Sequence, residues 1–178
     1  MNREHLQSRI LSCQLCDLAI GRTKAVPGEG PCPSKIMLVG EAPGAEEDIT
    51  GRPFVGRAGR LLDRSLDLAG IKRSEVFITS IVKCRPPENR KPTSIEIKSC
   101  HPYLQSQIDL IQPRVIGLMG NVAAKALLNI QGVTTLRGRV YQGRFLVTYH
   151  PAAVLRNKNL QSDFVSDLKK IMDMGSVG

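Results

Sequence analysis

Four of the five cysteines have the number and the chemistry of a metal-ligand set. Cys13 and Cys16 form a Cys-x-x-Cys pair, while Cys84 and Cys100 stand alone further along the chain. Four thiolates suit tetrahedral zinc or an iron–sulfur cluster, and the spacing does not choose between the two metals. Cys84 and Cys100 could also be buried structural thiols. Cys32 lies between two prolines and is expected to be a free thiol, not a ligand.

A second candidate site follows the first apolar run of the chain. The run Ile36–Gly40 predicts a buried strand, and it stops in the tight turn Gly40-Glu41-Ala42-Pro43-Gly44. In an open α/β sheet, ligands bind in loops at the carboxyl ends of strands. The acids that follow are Glu46, Glu47 and Asp48. The alternative interpretation is a strand followed by an acidic, solvated loop.

A third candidate is the histidine of Thr148-Tyr149-His150-Pro151-Ala152-Ala153-Val154-Leu155-Arg156. A strand is expected to end at His150, and the proline after it restricts the turn that follows. Such a place suits a rigid hydrogen-bond donor. A lone histidine is more often a surface or core residue, so its context has to decide.

Strands that alternate with helices are predicted to position these groups. Helices are expected over 3–12, 60–69, 93–111, 120–128 and 160–172, strands over 35–40, 76–82 and 115–119, and a hairpin over 139–147. Glycine- and proline-rich loops are expected over 21–33 and 51–59. The alternation predicts an α/β fold, a three-layer α/β/α sandwich around a mainly parallel four-stranded sheet. Residues 1–178 are expected to form a single domain.

Composition and charge narrow the class of protein. The 178 residues are 42% hydrophobic, which suffices for one core, and their formal net charge is +9. The basic residues are dispersed, so we expect a folded body with a basic face for nucleic acid. No apolar run approaches the roughly 20 residues of a membrane span, and the start is not that of a signal peptide. We therefore expect a cytoplasmic monomer without a membrane partner.

In this order and at these spacings, the motifs resemble those of family 4 uracil-DNA glycosylases, the iron–sulfur group of archaea and bacteria. Besides the cysteines and the turn after the first strand, the resemblance rests on Gly51-Arg52-Pro53-Phe54-Val55-Gly56-Arg57-Ala58-Gly59, Lys83-Cys84-Arg85-Pro86-Pro87, Asn89-Arg90 and Tyr149-His150-Pro151-Ala152-Ala153. It covers nearly the whole chain. It implies a uracil-DNA glycosylase fold in which a structural 4Fe–4S cluster is held by Cys13, Cys16, Cys84 and Cys100.

The implied reaction is hydrolysis of the bond between uracil and deoxyribose in DNA. The base must be flipped out of the stack into a pocket. Negative charge grows on the base as the bond breaks, so the pocket needs hydrogen-bond donors. The resemblance assigns a donor role to His150. The turn residues Gly40, Glu41, Ala42 and Pro43 are expected to contact the base, with the backbone N–H groups around Ala42 as donors. Phe54 lies in a loop rather than on a core strand and is expected to stack on the base.

Two carboxylates are candidates for positioning the attacking water. In the better-known uracil glycosylases an aspartate occupies the turn, and the matching residue here is Ala42. Hydrolysis is therefore expected to rely on Glu41 or Glu47, with the choice between them left open. Glu46 and Asp48 are expected to be solvated.

Ser80 departs from the family pattern. At the end of the second strand the family commonly has an asparagine, whose amide reads both N3–H and O4 of uracil. A serine cannot bridge both groups. We expect base discrimination to be weaker, to use the backbone, or to involve another residue such as Asn89. The substitution also leaves open a deaminated purine as the preferred base.

Contacts with DNA are expected from the segment after His150 and from dispersed basic residues. Within 152–158, Leu155 or Val154 is the candidate wedge for the gap left by the flipped base, with Arg156 on a phosphate. Further phosphate candidates are Arg57, Lys83, Arg85 and Arg90.

Three functions remain open at this stage. The first is a monofunctional glycosylase of base-excision repair, without strand cleavage because neither motif carries a lysine for a Schiff base. The second is a related glycosylase with altered base preference, and the third is an iron–sulfur DNA-binding module without catalysis. A zinc-stabilised RNA-binding domain is less favoured. The sequence shows no clear peptide for binding a sliding clamp.

Overall fold

A five-stranded sheet forms the centre of the structure, a computed structural model that describes residues 1–177. The strands are β1 (Ile36–Gly40), β2 (Val76–Ser80), β3 (Val115–Met119), β4 (Val140–Tyr141) and β5 (Phe145–Thr148). Their order is β2-β1-β3-β5-β4, and all neighbours are parallel except β4 and β5. Every residue of β1, β2 and β3 is buried, as expected for parallel strands that are covered on both faces.

Helices within residues 1–177 cover the sheet. They are α1 (Arg3–Leu11), α2 (Leu18–Gly21), α3 (Ala45–Thr50), α4 (Arg57–Leu68), α5 (Ser94–Ile111), α6 (Asn121–Leu128), α7 (Val133–Leu136), α8 (Pro151–Arg156) and α9 (Gln161–Ser176). The chain moves from β1 to β2 in one direction and from β2 back past β1 to β3. Because parallel crossovers are right-handed, α4 and α5 lie on opposite faces. Helix α9 packs on α4 and on three strands, and α1 packs on α5.

The three-layer α/β/α prediction is confirmed, but the sheet has five strands rather than four. The additional strand is β4, the short first arm of the predicted hairpin, which pairs with β5 at the edge of the sheet. The hairpin turns at Gln142 and Gly143, both with positive φ. No helix in the described part of the chain has the length and apolar character that crossing a bilayer requires.

Two segments predicted as loops are partly helical. The acids after β1 lie on α3, and Asp48, predicted to be solvated, is buried. Its carboxylate accepts hydrogen bonds from the backbone N–H of Thr23 (2.8 Å) and Lys24 (3.4 Å), which offsets the cost of burying it. Helix α4 begins at Arg57 rather than Arg60. Its Gly59 packs directly against the preceding loop, where a Cβ would lie 2.0 Å from the carbonyl oxygen of Phe54.

The carboxyl ends of the parallel strands meet at one edge of the sheet. Gly40 ends β1, Ser80 ends β2, and His150 follows β5. The chain leaves β1 toward β2 and returns on the other side to β3, so a crevice is expected between β1 and β3. The sequence motifs therefore converge at the position where doubly wound sheets bind ligands.

The strand that leads to His150 is held by a buried carboxylate. Asp167 of α9 is 2% exposed and accepts a hydrogen bond from Oγ1 of Thr148 (2.7 Å). It also receives two hydrogen bonds from Arg137, at 2.5 and 3.0 Å. A buried charge of this kind strongly affects stability when one partner is removed.

We expect Asp167→Asn to lower the free energy of unfolding by about 2–3 kcal/mol, because Arg137 would then face an uncharged, partly mismatched amide. Denaturant unfolding measures the change. Asp163→Asn is the matched control, since Asp163 lies 3.7 Å from the same arginine but its side chain is 52% exposed. The control is expected to cost less than about 1 kcal/mol. Equal losses in the two variants would contradict the assignment.

Candidate active site

A cavity at the carboxyl edge of the sheet gathers most of the predicted site residues. Its volume is about 890 Å³, with open solvent included. Those lining it are Ala42, Pro43, Glu47, Phe54, Arg57, Ser80, Asn89 and His150. Gly40 lies against this group, because a Cβ at Gly40 would come within 2.5 Å of Cζ of Phe54 and 3.6 Å of Nε2 of His150. A side chain at position 40 would therefore collide with the cavity wall.

Phe54 is held in a conformation that bulky residues rarely adopt. Its φ is +49°, in the left-handed region, and the residue is 6% exposed. Arg73 holds the loop by donating to the carbonyl oxygens of Pro53 (2.5 Å) and Phe54 (2.9 Å). The Phe54 ring lies 5.7 Å from the His150 ring at 38°. The strained backbone thus places an aromatic surface beside a polar ring, which suits a flat, polar ligand.

His150 can present a hydrogen-bond donor toward Gly40. Its Nδ1 accepts the backbone N–H of Ala152 (3.0 Å), so the proton of the neutral ring is on Nε2. The residue keeps partial exposure through the cavity, but its ring is enclosed. This enclosure, with the positive charge of Arg156, lowers the pKa of His150 to about 4. At neutral pH the ring is therefore an uncharged donor.

Glu47 borders the cavity, and its carboxylate accepts hydrogen bonds from three backbone N–H groups. Oε2 accepts from the N–H of Gly44 (3.2 Å), and Oε1 accepts from the N–H groups of Val55 and Gly56 (3.1 Å each). The carboxylate thereby joins the turn after β1 to the loop that carries Phe54. A carboxylate has about four lone-pair sites, so one remains for a further donor.

Glu41 is not among the described residues that border this cavity. Desolvation raises the pKa of Glu41, and the positive charge of Lys91 opposes that effect. Its carbonyl oxygen accepts from the N–H of Val82 (3.3 Å). Of the two carboxylates predicted to position water, the structure brings Glu47 to the site.

Ser80 and Asn89 border the same cavity from different segments. Ser80 is buried at the end of β2, and Asn89 is exposed at the end of the 3₁₀ turn Pro87–Asn89. The Asn89 carbonyl oxygen, Oδ1, accepts a hydrogen bond from Nε of Arg85 (2.8 Å). Arg85, predicted to contact phosphate, therefore also orients a cavity residue.

Lys83 was predicted as a phosphate contact, and this prediction is wrong. Lys83 is 1% exposed, and its Nζ donates to Oγ1 of Thr79 (2.6 Å), Oε1 of Gln107 (2.7 Å) and the carbonyl oxygen of Ser80 (2.7 Å). Burial lowers the pKa of Lys83 to about 8. Three acceptors satisfy the ammonium internally, so it cannot reach DNA.

The remaining predicted DNA contacts differ in accessibility. Arg57 and Arg156 are exposed, and Arg90 pairs with Glu96 at 2.7 Å. The predicted wedge segment is the helix α8. Val154 is fully buried there, which excludes it as a wedge, whereas Leu155 is half-buried at the edge of the core.

The four predicted ligand cysteines line one cavity, of about 350 Å³ with open solvent included, between the N-terminal helices, the loop after β2 and α5. The residues are Cys13, Cys16, Cys84 and Cys100. Cys32 lies elsewhere, with its Sγ 3.7 Å from the carbonyl oxygen of Leu110. Desolvation raises the pKa of Cys84, and it raises the pKa of Cys100 to about 11.

The four thiols of this cavity are a donor set whose chemistry suits an iron–sulfur cluster. Among residues 1–177, no three His, Cys, Asp or Glu side chains converge closely enough to hold one metal ion. Two donors already point at sulfur: Arg22 to Sγ of Cys84 (3.1 Å) and the N–H of Leu15 to Sγ of Cys13 (3.5 Å). Hydrogen bonds to sulfur are a regular feature of iron–sulfur sites.

Arg22 and Arg73 hold the cysteine cavity and the Phe54 loop, respectively, and the sequence alone did not identify either of them. Each is one arginine among many in a basic chain, and each acts on residues that lie distant in sequence. Neither has a local pattern that distinguishes it from a solvated charge. Only the folded chain shows what they contact.

We expect Glu47→Gln to loosen the cavity wall, because the amide would turn an N–H₂ toward the N–H of Gly44. Amide hydrogen exchange of Gly44, Val55 and Gly56 should accelerate about tenfold or more, as for losing a hydrogen bond to a charged group. Glu46→Gln is the control. Glu46 is exposed, and its one ion pair, with Arg60 at 3.8 Å, is a long one between exposed side chains. Unchanged exchange in Glu47→Gln would refute the role of the Glu47 carboxylate as the link between the two loops.

Comparisons with known proteins identify the family of this chain. The family model described as "Uracil DNA glycosylase superfamily" matches residues 27–171. The type-4 uracil-DNA glycosylase of Pyrobaculum aerophilum is 46% identical, over 94% of this chain and 92% of that protein. The enzymes so named from Sulfurisphaera tokodaii (44%, over 96% and 84%) and Thermotoga maritima (41%, over 94% and 91%) are similar throughout. The chain therefore belongs to the uracil-DNA glycosylase superfamily, among its type-4 members.

Proposed function

We propose that this protein is a monofunctional uracil-DNA glycosylase that acts in base-excision repair. One observation carries the proposal: the Phe54 ring, the Nε2–H of His150 and the turn after β1 meet in one cavity at the switch point of the sheet. The names of its relatives support uracil in DNA as the substrate. We further propose that it works as a monomer in the cytoplasm.

The cavity suits a flipped pyrimidine base. Phe54 offers a rigid surface on which the base can stack, and Gly40 leaves room beside it. The price of unstacking a base is a few kcal/mol, so the receiving surface must be formed in advance. The positive φ of Phe54, maintained by Arg73 and by the carboxylate of Glu47, provides that rigidity.

His150 stabilises the leaving base as a neutral donor. When the bond to the sugar breaks, its electron pair passes to the base and negative charge grows on the ring carbonyl oxygens. An Nε2–H already fixed in place costs no reorganisation at that moment. Because the pKa of His150 is about 4, the imidazole donates a hydrogen bond without a full positive charge at neutral pH.

Glu47 supports hydrolysis in two ways. It fixes the turn after β1 against the Phe54 loop, and its free lone pair can accept from a water beside the sugar. Its negative charge also opposes the positive charge that develops on the sugar. The backbone of Ala42 and Pro43 lines the cavity and needs no side chain to contact the base.

The basic surface supplies affinity for the DNA backbone. A net charge of +9 favours binding to phosphates through counterion release. Arg57 lines the cavity and Arg156 ends α8, so both are placed to contact phosphates that flank a flipped nucleotide. Leu155 is the residue of α8 that we assign as the wedge.

We expect the purified protein to release uracil from oligonucleotides, and to act much more slowly on matched strands with hypoxanthine or xanthine. His150→Gln should reduce the single-turnover rate about 10²- to 10³-fold, as for losing one anion-stabilising donor. His5→Gln, at an exposed position, is the control. Alkali cleavage of abasic sites measures the rates.

The outcomes of this assay separate the candidate functions. Preferential release of a purine would show a glycosylase with altered base preference. Intact DNA binding with no base release from any strand would contradict an enzyme and indicate a binding module.

We also propose that Cys13, Cys16, Cys84 and Cys100 hold a 4Fe–4S cluster. The shared cavity and the N–H groups aimed at sulfur support this assignment. When bound, the cluster would supply four iron–thiolate bonds that join α1, α2, the loop after β2 and α5. Its proposed role is structural.

Protein purified without oxygen is expected to be brown and to contain about four irons per chain. Cys84→Ser should lose the colour and lower the melting temperature, because an iron ligand is removed. Cys32→Ser is the matched control and should keep its iron. Stoichiometric zinc in a colourless protein would overturn the assignment.

A further inference from the structure

The base-reading wall of the cavity is incomplete if Ser80 acts alone. Its side chain has one hydroxyl, which can donate only one hydrogen bond and is buried at the end of β2. A pyrimidine presents a carbonyl at position 4 in uracil and an amino group in cytosine. Telling them apart requires a donor that cannot turn into an acceptor, and a freely rotating hydroxyl does not meet this requirement.

Asn89 supplies a second polar group in the same cavity, and its backbone is well fixed. Pro86 and Pro87 precede it, and the turn is closed by the N–H of Asn89 on the Pro86 carbonyl and of Arg90 on the Pro87 carbonyl (3.1 Å each). Glu88 and Asn89 both have positive φ, at 55° and 56°. Asparagine tolerates this conformation better than most residues.

Arg85 decides which end of the Asn89 amide is available. Its Nε–H donates to Oδ1 of Asn89 at 2.8 Å. Arginine has donors but no acceptor, so a flipped amide would set Nδ2 against the same N–H. With the carbonyl oxygen engaged, the Nδ2 hydrogens are the part of the amide that remains for a ligand.

We propose that Asn89, oriented by Arg85, is the specificity-determining residue that donates to O4 of the flipped pyrimidine, in place of an amide at position 80. The inference rests on the proposed glycosylase function. The amino group of cytosine would meet the N–H₂ of Asn89 as a second donor, which disfavours its binding. Arg85 is a positioning residue that acts through Asn89.

The test compares strands that carry uracil with strands that carry 2-pyrimidinone, which lacks O4. For each protein, the ratio of the two single-turnover rates measures the contacts with O4 and N3–H together, because 2-pyrimidinone also lacks the N3 hydrogen. The change in this ratio when Asn89 is substituted measures the share that Asn89 contributes. We expect this ratio to be about tenfold smaller in Asn89→Gly than in the unmodified protein, because one hydrogen bond is lost. Glycine accepts the positive φ, so the substitution should not strain the turn.

Arg85→Met should shrink the ratio in the same direction, because the amide is then free to flip. Glu88→Gly is the matched control. Glu88 lies in the same turn with nearly the same φ as Asn89, but it is not among the described residues that line the cavity. Adding Ser80→Asn to Asn89→Gly should restore the ratio, since an amide would again face the base. A purely structural role of the turn would not give this rescue.

The two failures are distinguishable. If the unmodified protein releases no uracil, the proposed function fails. If it releases uracil but Asn89→Gly and Glu88→Gly keep the unmodified ratio, the glycosylase stands and the role of Asn89 is refuted.

Discussion

The carboxylate of Glu47 connects the two loops on which the whole site depends. Three backbone N–H groups, from Gly44, Val55 and Gly56, converge on its two oxygens. Without a common acceptor, these loops would meet only through packing. Hydrogen bonds to a charged group are stronger than neutral ones, so a single side chain can hold the Phe54 loop at a fixed distance from the end of β1.

The strain at Phe54 is compatible with this arrangement because several contacts restrain it. Arg73 donates hydrogen bonds to the carbonyl oxygens of the loop, and Gly59, which has no Cβ, lets the first turn of α4 pack directly against it. The aromatic ring is therefore in place before a ligand arrives. His150 is prepared in a similar way, by the Ala152 N–H on one side of its ring and the Asp167 network behind β5.

The end of β2 and the residues after it connect the active-site cavity to the cavity lined by the four cysteines. Ser80, the last residue of β2, lines the active-site cavity, and the residues just after it include the buried ammonium of Lys83 and the thiol of Cys84 in the cysteine cavity. Lys83 donates to the carbonyl of Ser80 and to Gln107 of α5, the helix that also carries Cys100. Lys83 therefore links the helix that carries Cys100 to the end of β2 through hydrogen bonds.

Much of this protein follows from local sequence patterns. The continuous apolar runs determine the three central strands, and glycine and proline mark where the chain turns at their ends. Because parallel strands end at one edge, the convergence of Gly40, Ser80 and His150 was predictable too. The number and spacing of the cysteines predicted a ligand set, and the structure brings those four thiols to one cavity.

Other features were decided only by the tertiary structure, because they depend on partners distant in sequence. Lys83 and Asp48 look like solvated charges until the fold surrounds them with acceptors and donors. That Glu47, and not Glu41, borders the cavity beside the Phe54 loop also depends on the fold. A sequence specifies which groups a residue can bond, whereas packing decides which of them come within reach.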